Sequence, residues 1–183
     1  PGVLGSFLKE FPQVEVRTTE GFSGRLTEWT LAGEVDFAVI ALPPKEGRLR
    51  GRRLSFEPIL MISSRNSGRQ HLEPIDLSSQ KGLKIVLPWS NNSIRGLLRP
   101  FLQSGQIKYA NLIEVDSIPA ILDFVETGDY VTFLPLTAVA RDLTSGRFIV
   151  QPIREPEIAC EFYLIYPARS SLSAASLAFI KRL

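Results

Sequence analysis

The sequence predicts an α/β fold built in two similar halves. Three observations carry that prediction. Segments of helical periodicity alternate with short apolar or alternating runs along the chain, several helical segments stop at glycine or proline, and one order of elements occurs twice. Strands separated by helices return to the same edge of a sheet, so largely parallel sheets follow.

The elements come in order. Val3, Leu4, Phe7, Leu8 and Phe11 recur at helical spacing, and Pro12 ends that helix. Val14 and Val16 alternate with Glu15 and Arg17, the pattern of a strand. Phe22, Leu26 and Trp29 place a helix over about 23–32, with Gly33 as its stop. The apolar run Val35–Ala41 suits a parallel strand covered on both faces. Residues 42–54, with Pro43-Pro44 and four arginines (Arg48, Arg50, Arg52, Arg53), read as a loop whose arginines face solvent. Further strands are predicted over 56–62, 84–87, 112–115, 130–134, 148–150 and 158–166. Further helices are predicted over about 94–102, 117–127, 137–143 and 173–183, with a short turn around Leu77.

Residues 7–43 and 101–135 share one order: Phe-Leu at a helix end, a strand, a helix, an apolar strand, and Leu-Pro. Two similar lobes with a cleft between them account for the echo. Ligands of open α/β sheets sit at the carboxyl ends of strands, near helix N-termini. The second half also has a strand, 84–87, before its first helix. The first half has none, so a strand and turn of roughly ten to fifteen residues are expected upstream of Pro1.

Composition excludes several classes. A net charge of +2, from 21 basic and 19 acidic residues, is too balanced for a domain that grips nucleic acid alone. One cysteine, Cys160, and one histidine, His71, leave no disulfide framework and no Cys/His zinc site. Cys160 lies in an apolar strand as a buried inert thiol, and His71 in a polar loop. The sequence holds no GxSxG, GxGxxG, HExxH or CxxC motif, so no enzyme class is indicated and neither cofactor nor metal is expected. No apolar run reaches the roughly 18–20 residues a membrane span needs.

Phe11-Pro12 with its alternating run, Glu20-Gly21 with Leu26, and Gly33-Glu34-Val35-Asp36-Phe37-Ala38 resemble the signature of LysR-type transcription regulators. Leu54 with Glu57-Pro58-Ile59-Leu60, Ile75-Asp76-Leu77, Gly128 with Phe133-Leu134-Pro135, and Ala174–Phe179 continue the resemblance along the chain. The turn Gly128-Asp129-Tyr130-Val131 departs from the family's pattern. The resemblance implies a two-lobed, periplasmic-binding-protein-like (type 2) effector domain. Lobe one would be 1–61 with 160–183 and lobe two 65–156, with the chain crossing near 61–64 and 158–162. It implies a small effector bound between lobes and a homodimer or tetramer. In the pairing it implies, the first helix and following strand of lobe one meet their counterparts, 94–102 and 112–115, in the partner's lobe two. DNA would be contacted only through an N-terminal winged helix-turn-helix outside this chain, in the cytoplasm. A transporter's solute-binding protein of the same fold is the alternative.

The site candidates are polar turns that follow strands and open helices. Thr19 and Ser23, Ser90 and Asn91, and Ser117 each sit in such a turn, and Gly128 would let backbone approach a ligand closely. Unpaired N–H groups and the helix dipole suit an anionic effector there. Glu20 and Asp116 share these turns and would repel an anion; they are also the only acid/base candidates an enzyme of this fold could offer.

Overall fold

A computed structural model describes residues 2–44, 47–89, 92–169 and 172–183. The chain divides into two compact units, Pro1–Ser55 with Glu161–Leu183, and Phe56–Cys160. It passes between them inside two strands, β2 (Leu49–Ser64) and β8 (Ala159–Pro167). The chain crosses after Ser55 and after Cys160, where passages were expected near 61–64 and 158–162.

In the first unit, helix α1 (Gly2–Glu10) buries Phe7 against Phe179 of α6 (Ala174–Ile180), edge to face at 5.1 Å. Arg182 lies over Phe7 and Phe11 and pairs with Glu10 at 2.6 Å, which closes this aromatic cluster. Helix α2 (Ser23–Ala32) ends at Gly33, whose φ of 75° is left-handed. The Gly33 and Glu34 amides turn back to the Thr30 and Trp29 carbonyls, satisfying the helix end. Strand β1 (Ala38–Ile40) pairs antiparallel with β8 and packs Ala38 and Ile40 on Ile165. The parallel, doubly covered strand expected over Val35–Ala41 is therefore corrected. Only three residues ladder, and Val39 is exposed because one face alone is covered.

Two further expectations change in this unit. Val14–Val16 forms no strand: residues 15–22 have no assigned structure, and Val16 is exposed. A strand needs a neighbour to take its backbone hydrogen bonds, and no described residue supplies one. The predicted loop 42–54 instead yields to β2 from Leu49. The arginines hid it, because Arg50, Arg52 and Arg53 are exposed strand residues. Arg52 donates to the Ile180 carbonyl at 3.1 Å and Arg53 pairs with Glu161 at 3.0 Å. Tyr163 also donates to Glu161, and the two contacts hold that carboxyl below its ordinary range.

The second unit is a mixed sheet with helices. Strand β4 (Leu83–Leu87) runs parallel to both β5 (Tyr109–Glu114) and β6 (Val131–Pro135). Strand β2 pairs antiparallel with β6 and with β7 (Phe148–Glu155), and β3 (Ile75–Asp76) lies parallel to β7. Strand β7 runs five residues past the predicted 148–150, through the polar stretch Gln151–Glu155. Helix α4 (Ile118–Thr127) buries Ile121, Leu122 and Val125 and packs on β4 and β6. Helix α3 (Ser93–Gln103) buries Ile94 and Leu98. A single turn of helix, α5 (Leu136–Val139), follows β6, shorter than the predicted 137–143. Ile85, Leu87, Leu98, Ile121 and Phe133 are fully buried and form the centre of this unit. Cys160 is buried, and His71 is an exposed loop residue whose Nδ1 accepts the Val150 amide at 3.1 Å.

Candidate functional site

Because β4 and β5 are parallel, both leave the sheet at the same edge. Leu87 lies opposite Glu114, and the next amide, Val115 N–H, donates to the Leu87 carbonyl at 2.9 Å. Each strand then enters a polar turn and a helix, so the N-termini of α3 and α4 share this carboxyl edge. Strand β6, parallel to β4, ends there too. Its exit opens α5, where the Glu57 carboxylate accepts the Thr137 amide at 3.0 Å.

The two longer helix starts are capped by side chains. Ser117 is the N-cap of α4, its Oγ accepting the Ala120 amide at 3.4 Å. That hydroxyl still has its own proton to donate to a ligand. Pro119 in the first turn suits a helix start, where a missing N–H costs nothing. Helix α3 is capped by Asn92, whose Oδ1 accepts the Ile94 amide at 2.8 Å. Sequence reasoning placed the contacts of this turn on Ser90 and Asn91, which lie outside the described residues. The cap is the next residue, and the signal that could have found it is its place two residues before the first buried apolar position, Ile94.

Trp89 was missed altogether. It lies two residues past the end of β4, its carbonyl accepts the Asn92 amide, and 52% of it is exposed. A large apolar ring left in water where two helices begin is the kind of surface that takes a ligand. An aromatic residue immediately after a strand-ending Leu-Pro was its only mark in the sequence.

In the first unit, Thr19 is exposed in the irregular segment before α2. Ser23 is the first residue of α2, and its Oγ accepts the Ala41 amide at 3.1 Å, tying the exit of β1 to the helix start. The N-cap position itself is Phe22, which offers no side-chain acceptor. Glu20 and Asp116 are both exposed.

Gly128 is not brought together with these residues. It closes α4 at the end opposite Ser117. A helix of that length separates its ends by about 15 Å, more than one small molecule spans. A Cβ at Gly128 would stand 3.2 Å from the Phe124 carbonyl, which accounts for glycine there without a ligand.

Charge near the carboxyl edge is mixed. Arg95, in the first turn of α3, is mostly buried and faces Glu114 at 3.7 Å, its Nε without a hydrogen-bond partner. Among the described residues no cluster of His, Cys, Asp and Glu could hold a metal, and no helix is long and apolar enough to cross a membrane.

Comparison with known proteins supplies the family. The profile of the LysR substrate binding domain matches residues 1–183. The protein named "Probable RuBisCO transcriptional regulator" of Synechocystis is 28% identical over 99% of this chain and 54% of its own length. The HTH-type transcriptional regulator BbuR of Bordetella bronchiseptica is 25% identical over 93% of this chain and 53% of its own. The chain thus spans about half the length of these relatives. Among solved structures, the CcmR regulatory domain of Synechocystis, in complex with 2-PG, is similar at a TM-score of 0.79 and 19% identity, covering 99% of this chain and 87% of that one.

Proposed function

The chain belongs to the LysR substrate-binding domain family, and from that premise we propose that it is the effector-sensing, self-associating domain of a transcription regulator. In this reading a small anionic molecule is taken at the polar turns that open its helices. The observation that carries the proposal is the convergence of the α3 and α4 N-termini at the carboxyl edge of the parallel β4/β5 pair. N–H groups of two first turns and two helix dipoles meet there, the arrangement that stabilises a carboxylate or phosphoryl group without a dedicated cation. Ser117 donates its hydroxyl, Trp89 covers an apolar part of the ligand, and Ser90 and Asn91 are the polar residues the sequence offers beside it. Thr19 and Ser23, at the start of α2 in the first unit, are proposed by themselves as polar contacts for the effector. Gly128 is left out of this constellation by its position.

The domain catalyses nothing in this reading, works in the cytoplasm and pairs with a second copy. Val3 and Leu8 of α1, and Val16 after it, are large apolar side chains left exposed on the segments that would pair. The contact would be isologous. DNA is read by a winged helix-turn-helix elsewhere in the whole protein, and ligand binding shifts the state of the assembly.

A thermal-shift panel of small carboxylates and phosphates, 2-PG included, identifies a binder. Its titration against Ser117→Ala and Ser23→Ala tests the site. Loss of one hydrogen bond to a charged ligand weakens binding by about 1.5–3 kcal/mol, roughly ten- to a hundredfold. Circular dichroism controls for the lost cap of Ser117→Ala, which itself costs about 1 kcal/mol of stability. If both variants fold and bind as tightly as the parent, the site is elsewhere. Sedimentation of the same samples should give a dimer at micromolar concentration, and a monomer with or without ligand would refute self-association.

A further inference from the structure

The opposite, amino-terminal edge of the β4/β6 pair carries a second feature. A cavity of about 210 Å³ opens there within the second unit. Three separate stretches line it: the end of β2 with the loop after it, the approach to β4, and the turn from α4 into β6. Strand β4 has five residues, so this edge stands about 13 Å from the helix starts described above.

The lining is cationic. Arg69, Lys81 and Lys84 face the cavity against one carboxylate, Asp129. Asp129 is already matched: Lys84 Nζ lies 2.6 Å from its Oδ2. Among the described residues the Arg69 guanidinium donates only to a neutral acceptor, Gln80 Oε1, at 2.9 Å. It is partly withdrawn from water, and that desolvation lowers its pKa. Neither Arg69 nor Lys81 has an ion-pair partner among the described residues. Removing a guanidinium from water without an opposite charge is unfavourable, and a bound anion relieves it.

Hydroxyl chemistry points the same way. Ser63 Oγ and Ser67 Oγ lie 3.1 Å apart, and Ser67 Oγ also accepts the Arg69 amide at 3.4 Å. Two hydroxyls carry two protons and their mutual bond uses one, so one O–H is left to donate into the cavity. The volume is below the roughly 300–1,000 Å³ of sites for drug-sized ligands, and suits a compact polyatomic ion.

We infer that this cavity binds a small tetrahedral oxyanion, either free phosphate or sulfate or the phosphoryl group of a small metabolite, held by Arg69, Lys81 and the Ser63/Ser67 hydroxyl pair. Such an ion ties the end of β2 and the loop after it to the approach to β4. It is a site separate from the helix starts and independent of the reading given to them.

Amide chemical shifts, followed in titrations with inorganic phosphate and with sulfate at constant ionic strength, test it. Saturating shifts are expected at Ser67, Gly82 and Gly128. Arg69→Gln should weaken the affinity at least about tenfold, as loss of a charge-assisted contact does, and Lys81→Gln about threefold, its side chain being exposed. Arg25→Gln, which removes a positive charge on α2, should leave the affinity unchanged. Methyl phosphate binding more tightly than phosphate assigns the site to a phosphorylated metabolite, and the reverse order assigns it to the free ion; both support a site here. Shifts that grow without saturation, or that centre on Ile94 and Ala120 at the helix starts, overturn the inference. So does an affinity that neither Arg69→Gln nor Lys81→Gln changes. Lys81 is exposed and outside every element, so its variant folds even if Arg69→Gln does not.

Discussion

The run α1–α2–β1 in the first unit and the run α3–β5–α4–β6 in the second begin from similar sequence and end differently. Both have a first helix anchored by a buried apolar residue, Phe7 or Leu98. Both have a second helix followed by glycine, Gly33 or Gly128, and then an apolar strand and Leu-Pro. Between their helices, however, the second run forms a six-residue strand and the first an irregular segment. The second run has β4 beside it, and β5 and β6 both ladder on that strand. No described residue does this for 14–16. A strand is a property of a pair, so similar alternating sequences give a ladder in one place and solvated backbone in the other.

The comparison can be broken most forcefully through side-chain packing. Phe133→Ala, in fully buried β6, should cost about 3–5 kcal/mol, as deletion of a buried aromatic ring does. Val16→Ala, at an exposed position of the irregular segment, should stay within about 0.5 kcal/mol. Urea denaturation measures both, and comparable losses would mean that residue 16 is packed after all.

Hydrogen exchange sharpens the same contrast at the backbone. The Val115 amide, bonded to Leu87, should exchange at least about a thousandfold more slowly than the amides of Glu15, Val16 and Arg17, because its release requires opening the sheet. Equal protection of the two segments would show that 15–17 is laddered in solution.

The smallest effect concerns the residues after the two glycines. Asp129 is tied to Lys84 on β4, whereas Glu34 after Gly33 has no ion-pair partner among the described residues. The hydrogen bond from Lys84 lowers the Asp129 pKa from its ordinary 3.8 and raises that of Lys84 from 10.5. The pair's contribution is therefore present between those ordinary values. It is lost as pH falls through the lowered carboxyl pKa, or rises through the raised ammonium pKa. An NMR titration should find the Asp129 midpoint below 3.8 and returned close to it by Lys84→Met. An unchanged midpoint would show that the pair does not persist in water.

Much of the architecture was legible because it depends on local periodicity. α1 to α4 announced themselves by apolar spacing, and β4 and β6 by apolar runs that a fully buried strand requires. Of the candidate site, Ser117 was readable as a cap, since a serine before an apolar helical stretch accepts first-turn amides. Glycine at 128 marked a helix end correctly, but which end of the sheet that helix end meets is not a local property. The three-dimensional arrangement alone put Gly128 with Arg69 and Lys81 rather than with Ser117.

By itself, then, the sequence determined most of the helices and the buried strands, the repeated motif, the family likeness and the polar turns at helix starts. Each of these is written in residues a few positions apart. Tertiary structure decided which extended segments ladder, that β2 runs back through the arginines to Leu49, and that β1 pairs antiparallel with β8. It also decided that a desolvated arginine stands over a cavity at the amino-terminal edge of β4. Those outcomes rest on hydrogen bonds and charges contributed by residues far apart in the chain, and no local pattern records which distant partner will arrive.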